Sequence, residues 1–415
     1  MKLHAVNDEL FFRTSGLADD FAARARLGIY VHVPFCPHIC PYCDFVKTSR
    51  FSRKDVSAFF TCLEKQFDSL VQLIPQQVSD VTLYLGGGTP SLFPAGHFRP
   101  LVEKIAGRFR IGEFTVETNP FSNAERIFKE WNELGVNRIT LGAQSLEPAV
   151  LTYLGRKHTP DDVFRNANAA RNAGMEQVQA DLIFGVRNLP VQRSLRDEIM
   201  QLENAGATGV SCYLLTIEES TPFANEENSS DEKVESEYLE ILSTCESLGF
   251  HQHETSNFSR FAPVHNRLYW YGLPYLGLGT GAHGLLPADE QHPFGKRYRV
   301  GPSVLKRVAG DDALLFSSDS DSLFSLDFYE GPRTSEMVVQ ELLLTLLRTS
   351  AGIPVVWLEN VFEGTALNRF WSDERIRKAI DSGQFILTKS HLKLSARERL
   401  RGDSWSVLVA ALLCP

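Results

Sequence analysis

The chain has 415 residues, which at roughly 150 residues per domain allows two or three domains, and a chain this long buries enough apolar surface to need neither disulfides nor a structural metal. With 43% hydrophobic and 22% charged residues, 29 Gly and 20 Pro, the composition excludes a disordered, fibrous or collagenous protein. Lys and Arg number 42 against 51 Asp and Glu, a net charge of −9, which speaks against a nucleic-acid backbone as the main partner.

The opening residues, MKLHAVNDELFF, hold no apolar stretch long enough for a secretory signal, and Asp8, Glu9, Asp19 and Asp20 are foreign to an organellar transit peptide. Residues 1–27 therefore read as an N-terminal extension of a soluble, cytoplasmic protein. Residues 28–290 form the main body. Within it, short β-branched runs at Ile29–Val33, Val81–Leu85, Phe114–Glu117, Arg138–Leu141, Gln177–Phe184 and Val210–Thr216 alternate with helical patterns. The helices are expected at Lys54–Leu73, Gly96–Ala106, Ala124–Leu134, Pro160–Ala173, Val191–Ala205 and Lys233–Leu248, several stopping at a glycine such as Gly135, Gly174, Gly206 or Gly249. Six βα units of this kind predict an α/β fold built on a partial or full parallel barrel.

Between Glu218 and Glu237 the chain carries eight acids and one Lys, the composition of a solvated loop running into a helix. Residues 291–333 are less regular, with a Ser/Asp-rich run at Ser317–Ser325, and read as a linker. Residues 334–415 form a smaller, mostly helical domain: helices at Ser335–Arg348, Arg375–Ser382 and Trp405–Leu413, and a hairpin of Phe385–Leu387 with Leu392–Leu394. That order is winged-helix-like. Residues 328–415 hold eleven Lys or Arg and ten Asp or Glu, however, so the basic face of a DNA reader is missing and no nucleic-acid partner is expected. The longest apolar run, Val407–Cys414, is too short to cross a bilayer.

Seven cysteines, an odd number, do not make a disulfide framework. Cys62, Cys212, Cys245 and Cys414 are scattered and read as small buried hydrophobes. Cys36, Cys40 and Cys43 are clustered as C-x-x-x-C-x-x-C within IYVHVPFCPHICPYCDF, just after the first strand. Active sites of such barrels lie at the C-terminal strand ends, so the thiols stand where chemistry is expected. A cubane iron–sulfur cluster normally takes four thiolates; three from one loop would leave one iron open. Zinc competes, with His38 as the nearest fourth ligand but crowded by its neighbours, and unligated thiols are a third reading.

With the cysteine loop go Gly86-Gly87-Gly88-Thr89-Pro90 after strand two, VETNP after strand three, LGAQS after strand four, LGRKH soon after it and QADLIFG on strand five. Together these resemble the radical SAM superfamily and, within it, the group of coproporphyrinogen dehydrogenases and HemW-type heme chaperones. The resemblance implies a partial (β/α)6 barrel. It implies a [4Fe–4S] cluster on Cys36, Cys40 and Cys43, with S-adenosylmethionine on the open iron cleaved by one electron to a 5′-deoxyadenosyl radical. It also places Tyr30, Gly87, Gly88, Thr89, Glu117, Gln144, Arg156 and Asp181 against S-adenosylmethionine. The residue types suit this, since a guanidinium can hold a carboxylate bidentately and carboxylates can accept from ribose hydroxyls or an ammonium.

Two marks separate the members of the group. The decarboxylating enzymes add a fourth cysteine two residues after the third, whereas this chain reads Cys43-Asp44-Phe45. His265-Asn266-Arg267-Leu268-Tyr269-Trp270 matches the H-N-x-x-Y-W signature of the chaperones, and YLGLGTGAHG at Tyr275–Gly284 continues it. The resemblance thus favours a chaperone with heme as cargo. Its partners would be heme-accepting apo-proteins, an electron donor for the cluster and, where recipients are membrane-bound, a membrane touched peripherally through them. Oxygen-independent coproporphyrinogen III dehydrogenase is the alternative. His265 is the expected heme ligand, with Tyr269 and Trp270 as pocket walls, and His283, His32 and Cys212 are its rivals. Read without the family, a histidine among aromatic residues is a packing residue.

Overall fold

The structure, a computed structural model, describes residues 27–187, 192–301, 306–308, 311–313, 326–327 and 333–414. Six strands, β1 Leu27–Val33, β2 Asp80–Gly87, β3 Arg110–Thr118, β4 Arg138–Gln144, β5 Gln177–Phe184 and β6 Gly209–Leu214, lie side by side in sequence order, each parallel to the next. Helices return the chain between them: α1 Arg53–Leu70, α2 Arg99–Arg108, α3 Ala124–Glu133, α4 Pro148–Tyr153, α5 Pro160–Asn172, α6 Leu195–Asn204 and, after β6, α7 Asp231–Ser247. β1 takes Tyr275–Leu278 (β9) rather than β6 as its second neighbour, so the barrel is partial, as expected. The sheet continues past β9 through antiparallel strands His283–Leu286 and Lys296–Val300, and past β6 through Asn257–Ser259 (β8) and His251–Gln252 (β7).

Strand alternation decides what the barrel contains. Ile29, Val31, Val33, Leu83, Leu85, Ile139 and Leu141 are fully buried against the helices. Their alternates, Tyr30, His32, Thr82, Tyr84, Arg138, Thr140 and Asp181, line a polar interior. Side-chain caps fix where helices begin: Ser52 and Thr159 make capping boxes with Asp55 and Asp162, and Ser194 and Ser230 accept from Asp197 and Lys233. Gly135, Gly174, Gly206 and Gly249 carry positive φ where four of the helices end, as the sequence predicts.

Several boundaries differ from expectation. The helix expected from Gly96 begins at Arg99, with Pro100 in its first turn and a short 3-10 turn, Ala95–His97, before it. The helix expected from Val191 starts at Leu195; Val191 lies outside the described residues. The α4 helix was not expected: its signal is Glu147-Pro148, where the Glu147 carboxylate accepts from the Ala149 N–H at 3.3 Å. Ser317–Ser325 lies outside the described residues.

In the C-terminal region, Ser335–Leu347, Val355–Val361, Gly364–Ser372, Glu374–Asp381 and Gly402–Leu413 are helical, and Ile353–Pro354, His391–Leu394 and Phe385–Leu387 form a three-stranded sheet. The helices at Val355 and Gly364 are additional to those expected. Their core joins Leu343, Leu347, Trp357, Phe370 and Val409 to Leu268 of α8, Val264–Trp270, and to Tyr271, which caps it. No helix among the described residues is long and apolar enough to cross a membrane.

Candidate functional site

The cysteine loop is anchored before it begins. Phe35 is fully buried, with the rings of Phe51, Phe59 and Phe93 at 4.8, 5.2 and 5.5 Å, and truncating such a residue typically costs about 3–5 kcal/mol. Cys36 N donates to Thr48 O at 3.0 Å and Thr48 N to Pro34 O at 2.7 Å, so both ends of the loop are tied together. Inside it, Cys43 N donates to Cys40 O at 3.2 Å, and the buried Lys47 ammonium donates to Cys43 O at 2.7 Å. The glycine turn docks on this loop through Gly88 N to Val33 O at 2.7 Å and Thr89 N to Phe35 O at 2.9 Å. A Cβ on Gly88 would stand 2.7 Å from Phe35 O and 3.0 Å from Cys36 Sγ, and Gly87 has φ +103°, so neither position accepts a larger residue without strain.

Cys36, Cys40, Cys43, Gly87, Gly88, Thr89, Glu117, Gln144, Arg156 and Asp181 line a single chamber of about 430 Å³ at the C-terminal strand ends. Of the residues expected against S-adenosylmethionine, only Tyr30 is not in its lining, and His265, the expected heme ligand, lies outside it too. Tyr30 lies deeper in the barrel, its hydroxyl 3.0 Å from His32 Nδ1.

The chamber's electrostatics follow from its walls. Glu117 accepts from the Tyr84 hydroxyl at 2.8 Å and from Gly87 N–H at 2.9 Å, while burial pushes its carboxyl above the usual range. Burial, and then the nearby Glu117, push Asp181 up to about 8. Arg156 reaches Cys40 Sγ at 3.4 Å, Gly142 O at 3.0 Å and the Asn119 amide oxygen. Burial raises Cys36 to about 12; it opposes ionisation of Cys40 too, but there the His38 imidazole and the Arg156 guanidinium prevail and hold the thiol at about 7.

The donor set fits a cluster and a polar, charged cofactor. Asp181 Oδ1, Arg156 Nε and Thr140 Oγ1 are buried without hydrogen-bond partners, an expensive condition that a ligand in the chamber would relieve. Gln144 holds φ +65° beside a register shift in β4, strain of the kind stored at binding sites. Among the described residues no three His, Cys, Asp or Glu side chains gather round one metal ion. A cubane places each thiolate on its own iron and needs no such convergence.

The rival heme ligands sit elsewhere. His265 is 1% exposed, and both ring nitrogens are engaged, Nδ1 with Thr82 Oγ1 and Nε2 with the Tyr269 hydroxyl, each at 2.7 Å. His265 borders a cavity of about 210 Å³ together with Tyr269 and Trp270, but ligating iron would require breaking one of these bonds, the physical reason this geometry does not present it as a ligand. His32 is buried, with Nε2 2.7 Å from Val46 O; Cys212 is buried in the core; His283 stands exposed at a strand start.

Sequence reasoning missed Asn119, whose amide donates to Thr89 Oγ1 at 3.1 Å while its oxygen accepts from Arg156. It sits inside the VETNP motif, which was signal enough. Lys47 had none beyond following the loop. Nor did the buried Arg193–Glu198 pair at 2.7 Å, whose carboxylate also accepts from Ser145 and from Leu146 N, fixing the backbone behind Gln144.

Residues 30–193 match the Radical SAM superfamily. The heme chaperone HemW of Bacillus subtilis (strain 168) is 34% identical over 271 residues, 62% of this chain and 70% of that protein. Radical S-adenosyl methionine domain-containing protein 1, mitochondrial, of Dictyostelium discoideum is 27% identical over 413 residues, 90% of this chain and 92% of that one. The structure of coproporphyrinogen III oxidase (HemN) from Escherichia coli superposes with a TM-score of 0.72 at 17% identity, covering 98% of this chain and 94% of the other, a likeness of fold.

Proposed function

The chain belongs to the radical SAM superfamily, where it is related to the HemW proteins, and from that premise we propose that it is a heme chaperone, binding heme and passing it to heme-accepting apo-proteins. When bound, a [4Fe–4S] cluster and S-adenosylmethionine supply low-potential one-electron chemistry. The chain's own residues bind and orient. Cys36, Cys40 and Cys43 would hold three irons and leave the fourth for the cofactor. Arg156 offers a planar donor to a carboxylate, and Asp181 and Glu117 offer acceptors to hydroxyls or an ammonium. Lys47 and Thr89 hold the loop that carries the thiols. An electron donor is the further partner this reading requires, and the cytoplasm is the setting it proposes, with any membrane touched through recipients.

The observation that carries the heme reading over the decarboxylase is Phe45. It stands two residues after Cys43, where the decarboxylases have a thiol, and the residue is 65% exposed at the chamber's edge. An apolar face there would suit either macrocycle; what separates the two readings is that Phe45 supplies no extra thiol.

The experiment is anaerobic reconstitution followed by two parallel assays. A heme titration read by absorption spectroscopy, on wild type, His265→Ala and His283→Ala, is expected to give about one heme per chain for the wild type. Coproporphyrinogen III under reducing conditions is expected to give no multiple turnovers of decarboxylated product. Turnover together with absent heme binding would reverse the assignment in favour of the dehydrogenase.

A further inference from the structure

The H-N-x-x-Y-W segment is the strongest sequence signature that the chamber does not contain, yet its contacts lead there. The imidazole of His265 lies against the ring of Tyr84, centroids 5.0 Å apart and planes at 31°. The Tyr84 hydroxyl donates to Glu117 Oε1 at 2.8 Å, and Glu117 Oε2 accepts from Gly87 N–H at 2.9 Å. Two side chains therefore connect α8 to the glycine turn of the cofactor chamber. Glu117 is the shared wall: it borders the chamber above and, below, a cavity of about 210 Å³ that also meets Tyr30, Asn266 and Trp270.

We propose that His265 is a positioning residue for the S-adenosylmethionine site, which through Tyr84 sets the place of the Glu117 carboxylate and of the glycine turn without touching iron. The inference rests on reading the chamber as that site.

Three features make the coupling stiff. The imidazole is tethered at both nitrogens, to Thr82 on β2 and to Tyr269 one turn further along α8. The helix start is fixed by Glu113 of β3, whose carboxylate accepts from Val264 N and His265 N, both at 2.9 Å. Space is also tight, since a Cβ on Gly86 would lie 2.8 Å from the Tyr84 ring and 2.9 Å from Glu117 Oε1. Tyr84 is thus held between the imidazole and the next residues of its own strand. With the imidazole removed, the ring can tilt into the vacated volume and take its hydroxyl away from Glu117. Leu268 of α8 and Tyr271, the residue that caps it, are packed in the C-terminal core, so the helix joins that core to the cofactor chamber.

The test uses the full chain, anaerobically reconstituted, as wild type, His265→Ala, His265→Gln, Tyr84→Phe and the double variant Tyr84→Phe/His265→Ala. Three quantities are read: iron content, the dissociation constant for S-adenosylmethionine, and the change that S-adenosylmethionine causes in the electron paramagnetic resonance spectrum of the reduced cluster. His265→Ala and Tyr84→Phe are expected to keep the cluster, weaken S-adenosylmethionine about five- to tenfold and move the spectral change to correspondingly higher concentration. The double variant should be no weaker than the weaker single, because both cut one path. Glutamine at 265, still able to bond both ways, should recover most of the affinity, which a loss through general loosening would not do. Heme affinity should stay within about twofold throughout. Wild-type S-adenosylmethionine affinity in a cluster-loaded His265→Ala would overturn the proposal. So would wild-type affinity in Tyr84→Phe, which keeps the ring and decides the matter should His265→Ala not fold. Loss of heme binding with S-adenosylmethionine affinity unchanged would restore the ligand role. A wild type that holds its cluster yet binds no S-adenosylmethionine would instead overturn the reading of the chamber.

Discussion

Asp181 at the strand ends and His265 on the barrel floor are both walled in by the same polar interior, and they are treated in opposite ways. Asp181 Oδ1 has no partner and its carboxyl is pushed up to about 8 by burial, then by Glu117. His265 has a partner on each nitrogen and is pushed down to about 3 by burial, then by Arg138. An unsatisfied buried polar atom costs about 1–3 kcal/mol. The upper region keeps that cost where an incoming ligand can relieve it; α8 leaves its histidine nothing to gain from one. The first arrangement is that of a binding site and the second that of a structural pin, which is why the two ends of one barrel should respond differently to substitution.

The widest expected separation is at the thiols. Replacing Cys36, Cys40 or Cys43 by alanine should take reconstituted iron from about four per chain to near zero. Cys212→Ala, in the buried core, should leave iron unchanged, and equal losses at all four positions would erase the distinction. Next in size is Arg156→Ala. It removes a charge-assisted donor worth about 1.5–3 kcal/mol, so S-adenosylmethionine affinity should fall some ten- to hundredfold by calorimetry with iron retained.

What the sequence reveals of this arrangement divides along the same line. The chamber is legible because its residues stand at or just after strand ends at short, fixed offsets: the cysteine loop after β1, three glycines across the end of β2, Glu117 at the end of β3. Local chemistry and position in a βα unit are enough there. The floor is not legible, because its meaning lies in contacts across long separations, Thr82 with His265 and Glu113 with the start of α8. A histidine among aromatic residues reads the same whether it ligates iron or fills a core. The short strands that flank the barrel were missed for a similar reason. Tyr275–Leu278 is four residues long, and only its pairing with β1 shows that it extends the sheet. Where periodicity was strong the helices were found, and their starts shifted where a Pro or a Ser cap overrode it, at Arg99 and Leu195.

A smaller effect, set by proton linkage, sharpens the contrast at Asp181. Its folded value, about 8, exceeds the ordinary 3.8. Its contribution to stability is therefore fully present below about pH 4 and is lost as pH rises through about 8. A cationic or hydroxyl-donating ligand needs the ionised form. S-adenosylmethionine should thus bind more tightly as pH rises, by at most about tenfold per unit, and level off above about 8, with proton uptake or release followed in buffers of different ionisation enthalpy. Asp181→Asn should flatten the profile and leave the chain at least as stable at pH 8–9. A profile unchanged in Asp181→Asn would assign the titration to another group.

The smallest effect on ligand binding belongs to Thr82→Val, and it runs the other way. Valine keeps the shape of threonine, but it removes the hydroxyl that meets His265 Nδ1 at 2.7 Å, leaving that nitrogen buried and unpaired. The loss is expected to be about 1–3 kcal/mol of stability, read as a lower denaturant midpoint at unchanged slope. S-adenosylmethionine affinity should fall by less than about threefold, because the Tyr269 bond still orients the ring against Tyr84. The two substitutions then form a crossed pair: Asp181→Asn trades binding for stability, and Thr82→Val loses stability with binding almost intact. Were Thr82→Val to leave the midpoint where it was, His265 would not be pinned from β2.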